Sequence, residues 1–151
     1  MAGADPEFAP PVLRLAGDQY RTILSHCYRG LPDEACGLLG GPVDEGAEPT
    51  GVVTRVYPCT NAEASARRFT VDSRELMRAL RDSESRGEAL VGVWHSHTHS
   101  DPYPSDTDVR SAMEPTWLYV LVSLQHAEPT LRCYRIRDGA VQECEVVVSD
   151  S

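Results

Sequence analysis

Lysine is absent from this 151-residue chain: all 14 of its Lys and Arg positions are arginine. Coding bias explains that as well as function does, so no mechanism is read from it. Positive charge is scarce overall, against 23 acidic residues and a formal net charge of −9. Nucleic-acid phosphate is thereby excluded as the main ligand, because such binding wants a basic face. No apolar run approaches the ~20 residues of a membrane helix, and the first residues lack the basic-then-apolar pattern of a signal peptide. The expectation is a protein of the cytoplasm with no membrane partner. C-x-x-C pairs are also missing, and the five cysteines, Cys27, Cys36, Cys59, Cys133 and Cys144, are an odd number. That argues against a full disulfide framework and against a cysteine zinc finger, leaving buried, reduced thiols. Internal repeats and low-complexity segments are absent too.

What is present fits one globular domain, with 41% hydrophobic and 25% charged residues. A chain of this size buries about 68–70% of its unfolded surface, enough for a core without staples. Residues 1–10 read as a leader left by expression cloning, and 11–149 as the domain. Val12 to Leu15 is a short strand, and Asp18 opens a helix with Tyr20, Ile23, Leu24 and Cys27 at helical spacing, ended by Gly30-Leu31-Pro32. Glu34 enters a strand reaching Gly41, and Val52 to Tyr57 is a strand ended by Pro58. Phe69 to Val71 is a further short strand, followed by a helix capped by Asp72 or Ser73 with Leu76, Ala79, Leu80 and Ser83 facing inward. Trp117 to Ser123 is nearly unbroken in its apolarity, so it is expected centrally in a sheet, covered on both faces. Leu131 to Arg137 alternates, Asp138-Gly139 turns, and Val141 to Val148 returns antiparallel. His26 and His126 are expected to be ordinary surface residues.

The chemistry concentrates in His95-Ser96-His97-Thr98-His99-Ser100-Asp101-Pro102-Tyr103-Pro104-Ser105-Asp106-Thr107-Asp108, directly behind the apolar run Ala89 to Trp94. Side chains alternate along a strand, so His95 and His97 project from the same face, the geometry in which two imidazoles grip one metal ion. Pro104-Ser105 reads as a helix start, with Ser105 as N-cap and Asp108 three positions on. Two neutral nitrogens and one carboxylate make a three-ligand zinc site, and three protein ligands leave a fourth position for water, the mark of a catalytic centre. A plainer reading coexists: Ser105-x-x-Asp108 also serves as a capping box with no metal present. His99 continues the i, i+2 series and Asp101 is a rival carboxylate, so spacing alone does not choose the ligands. Glu34, taken by itself, reads as a solvated surface acid.

Taken together, Glu34 in Glu-x-Cys-Gly-Leu, then His95-x-His97, seven residues and Ser105-x-x-Asp108, resembles the JAMM (MPN+) metalloprotease signature. The likeness extends to the helix before Glu34, to Pro58-x-x-Asn61 and to Phe69-x-x-Asp72, and so covers nearly the whole chain after its first ten or so residues. His-Ser-His-Thr with Tyr103-Pro104-Ser105-x-Thr107-Asp108 is most similar to the small Mec-type branch, which processes ubiquitin-like sulfur carriers. One departure is visible: Thr98 stands where many members, including deubiquitinating ones, have proline. The resemblance implies an α/β fold, a three-layer α/β/α, cytidine-deaminase-like domain with a mixed sheet. It further implies Zn²⁺ held by His95, His97 and Asp108, Glu34 as general base and then acid, and Ser105 donating to the oxyanion, or else serving only as the helix cap. The implied substrate is an amide at the C-terminal diglycine of a ubiquitin-like sulfur carrier protein, with cysteine released. Alternatives are a deubiquitinase-like or general metallopeptidase on other tails, and a non-catalytic MPN scaffold. A deaminase is disfavoured, since H-x-E and P-C-x-x-C are both missing.

Overall fold

A computed structural model describes residues 11–150; the leader expected at residues 1–10 lies outside them. In chain order the elements are β1 (Leu13–Leu15), α1 (Gly17–Gly30), β2 (Cys36–Gly41), β3 (Arg55–Cys59), α2 (Ser73–Ser85), β4 (Ala89–His97), α3 (Asp106–Ser111), β5 (Leu118–Ser123), β6 (Thr130–Arg137), β7 (Ala140–Cys144) and β8 (Val146–Val148). Six strands form one mixed sheet in the order β3-β2-β4-β5-β6-β7. Only β4 and β5 run parallel, joined by the crossover that carries α3; the other neighbours are antiparallel. No helix among the described residues is long and apolar enough to cross a membrane.

The two faces of this sheet bury different cores. Ile23 and Cys27 of α1 pack with Leu39, Val91, Trp94, Val120 and Val122 on one side, where β1 also lies. Ala79 of α2, flanked by Leu76 and Leu80, packs with Cys36, Leu38, Leu90 and Val93 on the other. Helices on opposite faces of a mixed sheet make the three-layer α/β/α arrangement expected from the sequence. Strand β4 supplies both cores without simple alternation, because the register with β2 slips between Leu39 and Gly40, pairing Leu39 with Gly92 but Gly40 with Leu90. Val91 is the extra residue. This bulge reverses the phase of the strand, so Leu90 and Val93 face α2 together, and His95 and His97 continue on that face.

Several sequence expectations shift in detail. Strand β3 runs through Pro58 to Cys59 instead of stopping there, because β3 is an edge strand paired only with β2, where the missing N–H faces outward. Phe69 to Val71 is not a strand; Val71 alone bridges to Asn61. The helix after Ser105 ends at Ser111, short of Met113, as Ala112 leaves helical geometry. The expected return from Val141 to Val148 divides at Glu145: β7 completes the large sheet, while β8 crosses to pair in parallel with β1. His26 is half-buried, hydrogen-bonded through Nε2 to the Cys59 carbonyl at 2.8 Å and edge-on to Trp94 at 5.4 Å. All five cysteines are buried and free, as the composition led one to expect.

Trp94 fixes the middle of the sheet. Fully buried, it lies across Gly37 and donates its indole N–H to the Leu38 carbonyl at 3.2 Å. A Cβ at Gly37 would stand 2.1 Å from the indole ring and 2.5 Å from the Tyr57 carbonyl, so only glycine fits. Gly37→Ala is therefore expected to cost about 1–3 kcal/mol through overpacking. The thermal midpoint should drop by several degrees, and an unchanged midpoint would show that the indole is free to move aside.

Candidate metal centre

His95 and His97 end β4, and each is 5% exposed. Asp108 sits in the first turn of α3 and reaches both: its Oδ2 is 3.3 Å from His95 Nε2 and 3.1 Å from His97 Nε2. The ligand atoms of these three residues all lie within 4.8 Å of one another. In a tetrahedral centre with bonds of about 2.0–2.1 Å, neighbouring ligand atoms stand about 3.3–3.4 Å apart. The spacing around Asp108 is thus already close to that of a first coordination sphere, and the donor set of two imidazoles and one carboxylate suits a borderline divalent cation.

Each of these side chains is held from behind. His97 Nδ1 lies 2.8 Å from the Asp101 carbonyl. A carbonyl only accepts, so the proton is on Nδ1 and the neutral ring turns its Nε2 lone pair toward the centre. His95 is stacked on Phe69, with ring centroids 4.1 Å apart. The loop between His97 and Ser105 is pinned by Ser123, whose hydroxyl donates to the Ser100 carbonyl at 2.6 Å, and by Tyr134, whose hydroxyl donates to the Pro102 carbonyl. Gln125 binds the Asp101 carboxylate, which withdraws that rival from the ligand set. His99 is exposed beyond the strand end and does not join the cluster.

Ser105 and Asp108 form a reciprocal capping box: the Ser105 Oγ accepts from the Asp108 N–H at 3.0 Å, and the Asp108 Oδ2 accepts from the Ser105 N–H at 2.9 Å. The plain capping reading and the ligand reading therefore coincide, since the same Oδ2 meets the imidazoles. Nor are capping and donation exclusive for Ser105. The cap uses a lone pair of Oγ, and a hydroxyl keeps its proton to donate elsewhere.

Glu34 lies just before β2, and the β2–β4 register sets it beside the histidines. Cys36 pairs with His95, and the ladder continues through Ser96 N–H donating to the Ala35 carbonyl at 3.0 Å, which brings Glu34 across from His97. Its backbone is locked: the N–H donates to the Ser65 carbonyl at 2.8 Å, and the Asn61 amide donates to its carbonyl at 2.9 Å. Asn61 also donates to the Arg68 carbonyl at 2.8 Å, so one side chain ties the loop that carries Phe69 to the segment that carries Glu34. Far from a solvated surface acid, Glu34 is 7% exposed. The supporting roles of Asn61, Phe69, Ser123 and Tyr134 have no local signature in the sequence; Asn61 and Phe69 were visible only as parts of the family pattern.

Burial dominates the electrostatics. It pushes Glu34 up to about 7, with His97 pulling down and the Asp108 charge adding to the rise. Burial lowers the pKa of His95, against the opposing pull of Asp108. For His97 burial acts downward too, but the hydrogen bonds to Asp108 and the Asp101 carbonyl outweigh it and the pKa rises. Asp108 resists its own burial because both imidazoles and the Ser105 N–H bind the carboxylate, holding it well below the usual carboxylate range.

Comparison with known proteins gives the family. The family model described as prokaryotic homologs of the JAB domain matches residues 18–137. The chain belongs to this JAB family. It is 44% identical over 133 residues to the CysO-cysteine peptidase of Mycobacterium tuberculosis, covering 87% of this chain and 88% of that protein. It is 38% identical over 116 residues to the desampylase of Haloferax volcanii, covering 74% and 80% respectively. Among solved structures, a Desulfitobacterium hafniense protein determined in solution superposes with a TM-score of 0.81 at 33% identity, covering 92% of this chain and 94% of its own. The JAB assignment bears out the family expected from Glu34, the two histidines, Ser105 and Asp108.

A raised carboxyl pKa has a cost in stability. Unfolded Glu34 would release its proton near its ordinary value of 4.5, whereas the folded group holds it to about 7. The native state binds more protons across that window, so this group lowers stability as pH rises from about 4.5 to 7, by up to about 3 kcal/mol above it. Metal-free Glu34→Gln is accordingly expected to melt higher than metal-free wild type at pH 8 and at the same temperature near pH 4.5. Equal midpoints at both pH values would mean that Glu34 is not desolvated.

Proposed function

We propose that this JAB-family peptidase is a zinc-dependent hydrolase that cleaves the amide after the C-terminal glycine of a ubiquitin-like sulfur carrier protein and releases cysteine. The observation that carries the reading is the convergence of His95 Nε2, His97 Nε2 and Asp108 Oδ2, with buried Glu34 across from His97. Zinc is the ion favoured for His95, His97 and Asp108, and when bound it supplies Lewis acidity, lowering the pKa of a coordinated water toward about 7. Glu34, poised near neutral pH, takes the proton of the attacking water and returns it to the leaving amine. Asp101 keeps His97 in the tautomer that presents Nε2, and Phe69 shields one face of His95 from water. Ser105 caps α3 through its oxygen and donates a hydrogen bond from its hydroxyl to the developing oxyanion, a kind of contact worth about 2.7–4 kcal/mol where a comparable donor has been removed.

The substrate assignment draws on the mycobacterial relative, named for cleaving a CysO-cysteine bond. The archaeal relative is named a desampylase, which supports a second reading: release of a protein partner, in the manner of a deubiquitinase, from a ubiquitin-like modifier. The two differ in the leaving group, not in the machinery. A scaffold role is disfavoured because all five expected positions, Glu34, His95, His97, Ser105 and Asp108, are filled. Five unpaired cysteines suit a reducing compartment, and the cytoplasm is the proposed setting.

The test is cleavage of a carrier protein ending in Gly-Gly-cysteine, read by intact mass beside metal analysis. Wild type should hold one zinc and remove one cysteine mass. Glu34→Gln should keep the zinc and lose about 10²–10⁴-fold in turnover, whereas His97→Ala should lose both. A Glu34→Gln enzyme with near-normal rate would remove the base assignment, and cleavage only of protein-linked conjugates would favour the desampylase-like reading.

A further inference from the structure

Two pairs of cysteines face each other across the large sheet: Cys36 with Cys59 on β2 and β3, and Cys133 with Cys144 on β6 and β7. Directly opposed residues of an antiparallel ladder stand about 4.5 or 5.5 Å apart at Cα, within the ~4.4–6.8 Å that a disulfide spans. Register alone permits either pair to close, and their surroundings separate them. The Cys36 and Cys59 thiols turn to backbone carbonyls, Thr60 at 3.6 Å and Tyr57 at 3.3 Å, and burial pushes Cys59 up to about 12. The Cys133 thiol instead hydrogen-bonds Cys144. That bond, with burial, raises the pKa of Cys133. Cys144 is lowered, first by the same bond, with Arg135 adding to it against burial and the Glu143 charge.

Arg135 follows Cys133 by two positions on β6 and so shares its face of the sheet. Although buried, its guanidinium is only partly engaged: Nη2 binds Glu48 Oε2 at 2.8 Å, and Nε has no hydrogen-bond partner among the described residues. A buried cation with a free donor stabilises an anion beside it, which favours the thiolate of Cys144. Access is also unequal. Cys144 lines a cavity of about 670 Å³ whose wall includes Arg132 and Glu143, both half-exposed, whereas Cys133 is not part of that wall.

We propose that Cys133 and Cys144 are a peroxide-reactive dithiol, with Cys144 attacking the oxidant and Cys133 resolving the product. The Cys144 thiolate attacks one oxygen of hydrogen peroxide and the O–O bond breaks, giving a sulfenic acid and a hydroxide that takes up the proton Cys144 had released. Cys133 then attacks the Cys144 sulfur; the S–O bond breaks, and hydroxide leaves with the Cys133 proton as water. Two thiols and one peroxide thus become one disulfide and two waters. Because the resolving thiol is already in register, closure competes with further oxidation to the irreversible sulfinic acid, and a thiol reductant reopens the pair by exchange. The cross-link forms on the α1 face at the end of β7, on the opposite face of the sheet from His95 and His97.

The experiment exposes the purified protein to hydrogen peroxide, denatures it in N-ethylmaleimide to block the remaining thiols, and reads intact mass and a non-reducing digest. Wild type should take up two fewer maleimides than untreated protein and yield one cross-linked peptide pair, joining Cys133 to Cys144. Dithiothreitol added before the block should restore both sites. Cys133→Ser should stop at the sulfenic acid of Cys144, captured by dimedone, and Cys144→Ser should give neither the disulfide nor the dimedone adduct. Arg135→Gln should slow disulfide formation about threefold or more, as the thiolate fraction falls. A wild type that forms no Cys133–Cys144 link, or that forms a Cys36–Cys59 link as readily, overturns the dithiol without recourse to any variant. Dimedone capture at Cys133 in Cys144→Ser overturns the order of attack, and an unchanged rate in Arg135→Gln overturns the part given to the guanidinium.

Discussion

Antiparallel pairing between β2 and β4 is the constraint on which this molecule's chemistry depends. Partners across such a ladder project to the same face, so pairing Cys36 with His95 brings residues 34 and 97 together although they are far apart in sequence. A slip of one residue would turn Glu34 away and reverse His95 and His97 to the α1 side. Three features pin the register. Gly37 admits Trp94, the Val91 bulge sets the phase of the strand end, and Ala35 exchanges hydrogen bonds with Ser96 through both backbone and side chain. The site is as rigid as the sheet it terminates, which suits chemistry that tolerates little displacement.

The second support is local. A helix of six residues has little stability of its own, yet α3 must hold a carboxylate in place 3.1 and 3.3 Å from two imidazoles. The capping box resolves this, because the contact that stops the helix fraying at its start also aims Asp108 Oδ2. Helix capping and ligand positioning are one arrangement here. Its cost appears at Glu34 instead, a carboxylate kept from water beside a second carboxylate and raised to about 7 by that burial. A carboxylate with that pKa is matched to proton transfer near neutral pH, as the proposed role of Glu34 requires, and the stability it forgoes is the usual trade at a functional site.

Much of this was legible beforehand, for identifiable reasons. His95-x-His97 at the end of an apolar run is a local pattern, and period-two geometry alone sets both rings on one face. Ser105-x-x-Asp108 was equally local, although its two readings looked like rivals until the shared Oδ2 joined them. Glu34 was different: nothing near it in sequence distinguishes it from a solvated acid, and only the family pattern singled it out before the register explained why. Asp101 could not be dismissed as a ligand by spacing; its carboxylate is engaged by Gln125, from a loop beyond β5. The bulge at Val91, the division of the last strand at Glu145 and the irregular backbone at Phe69 were illegible, because each is decided by what lies across the fold rather than along the chain.

The account turns on which atoms would hold the proposed zinc. X-ray absorption at the zinc edge of the stoichiometrically loaded protein measures that directly. It should show only nitrogen and oxygen neighbours at about 2.0–2.2 Å, with the outer-shell signature of two imidazoles. Sulfur scattering at about 2.3 Å would contradict it, since that would assign the ion to the buried cysteines and leave the histidine, aspartate and glutamate cluster without its metal.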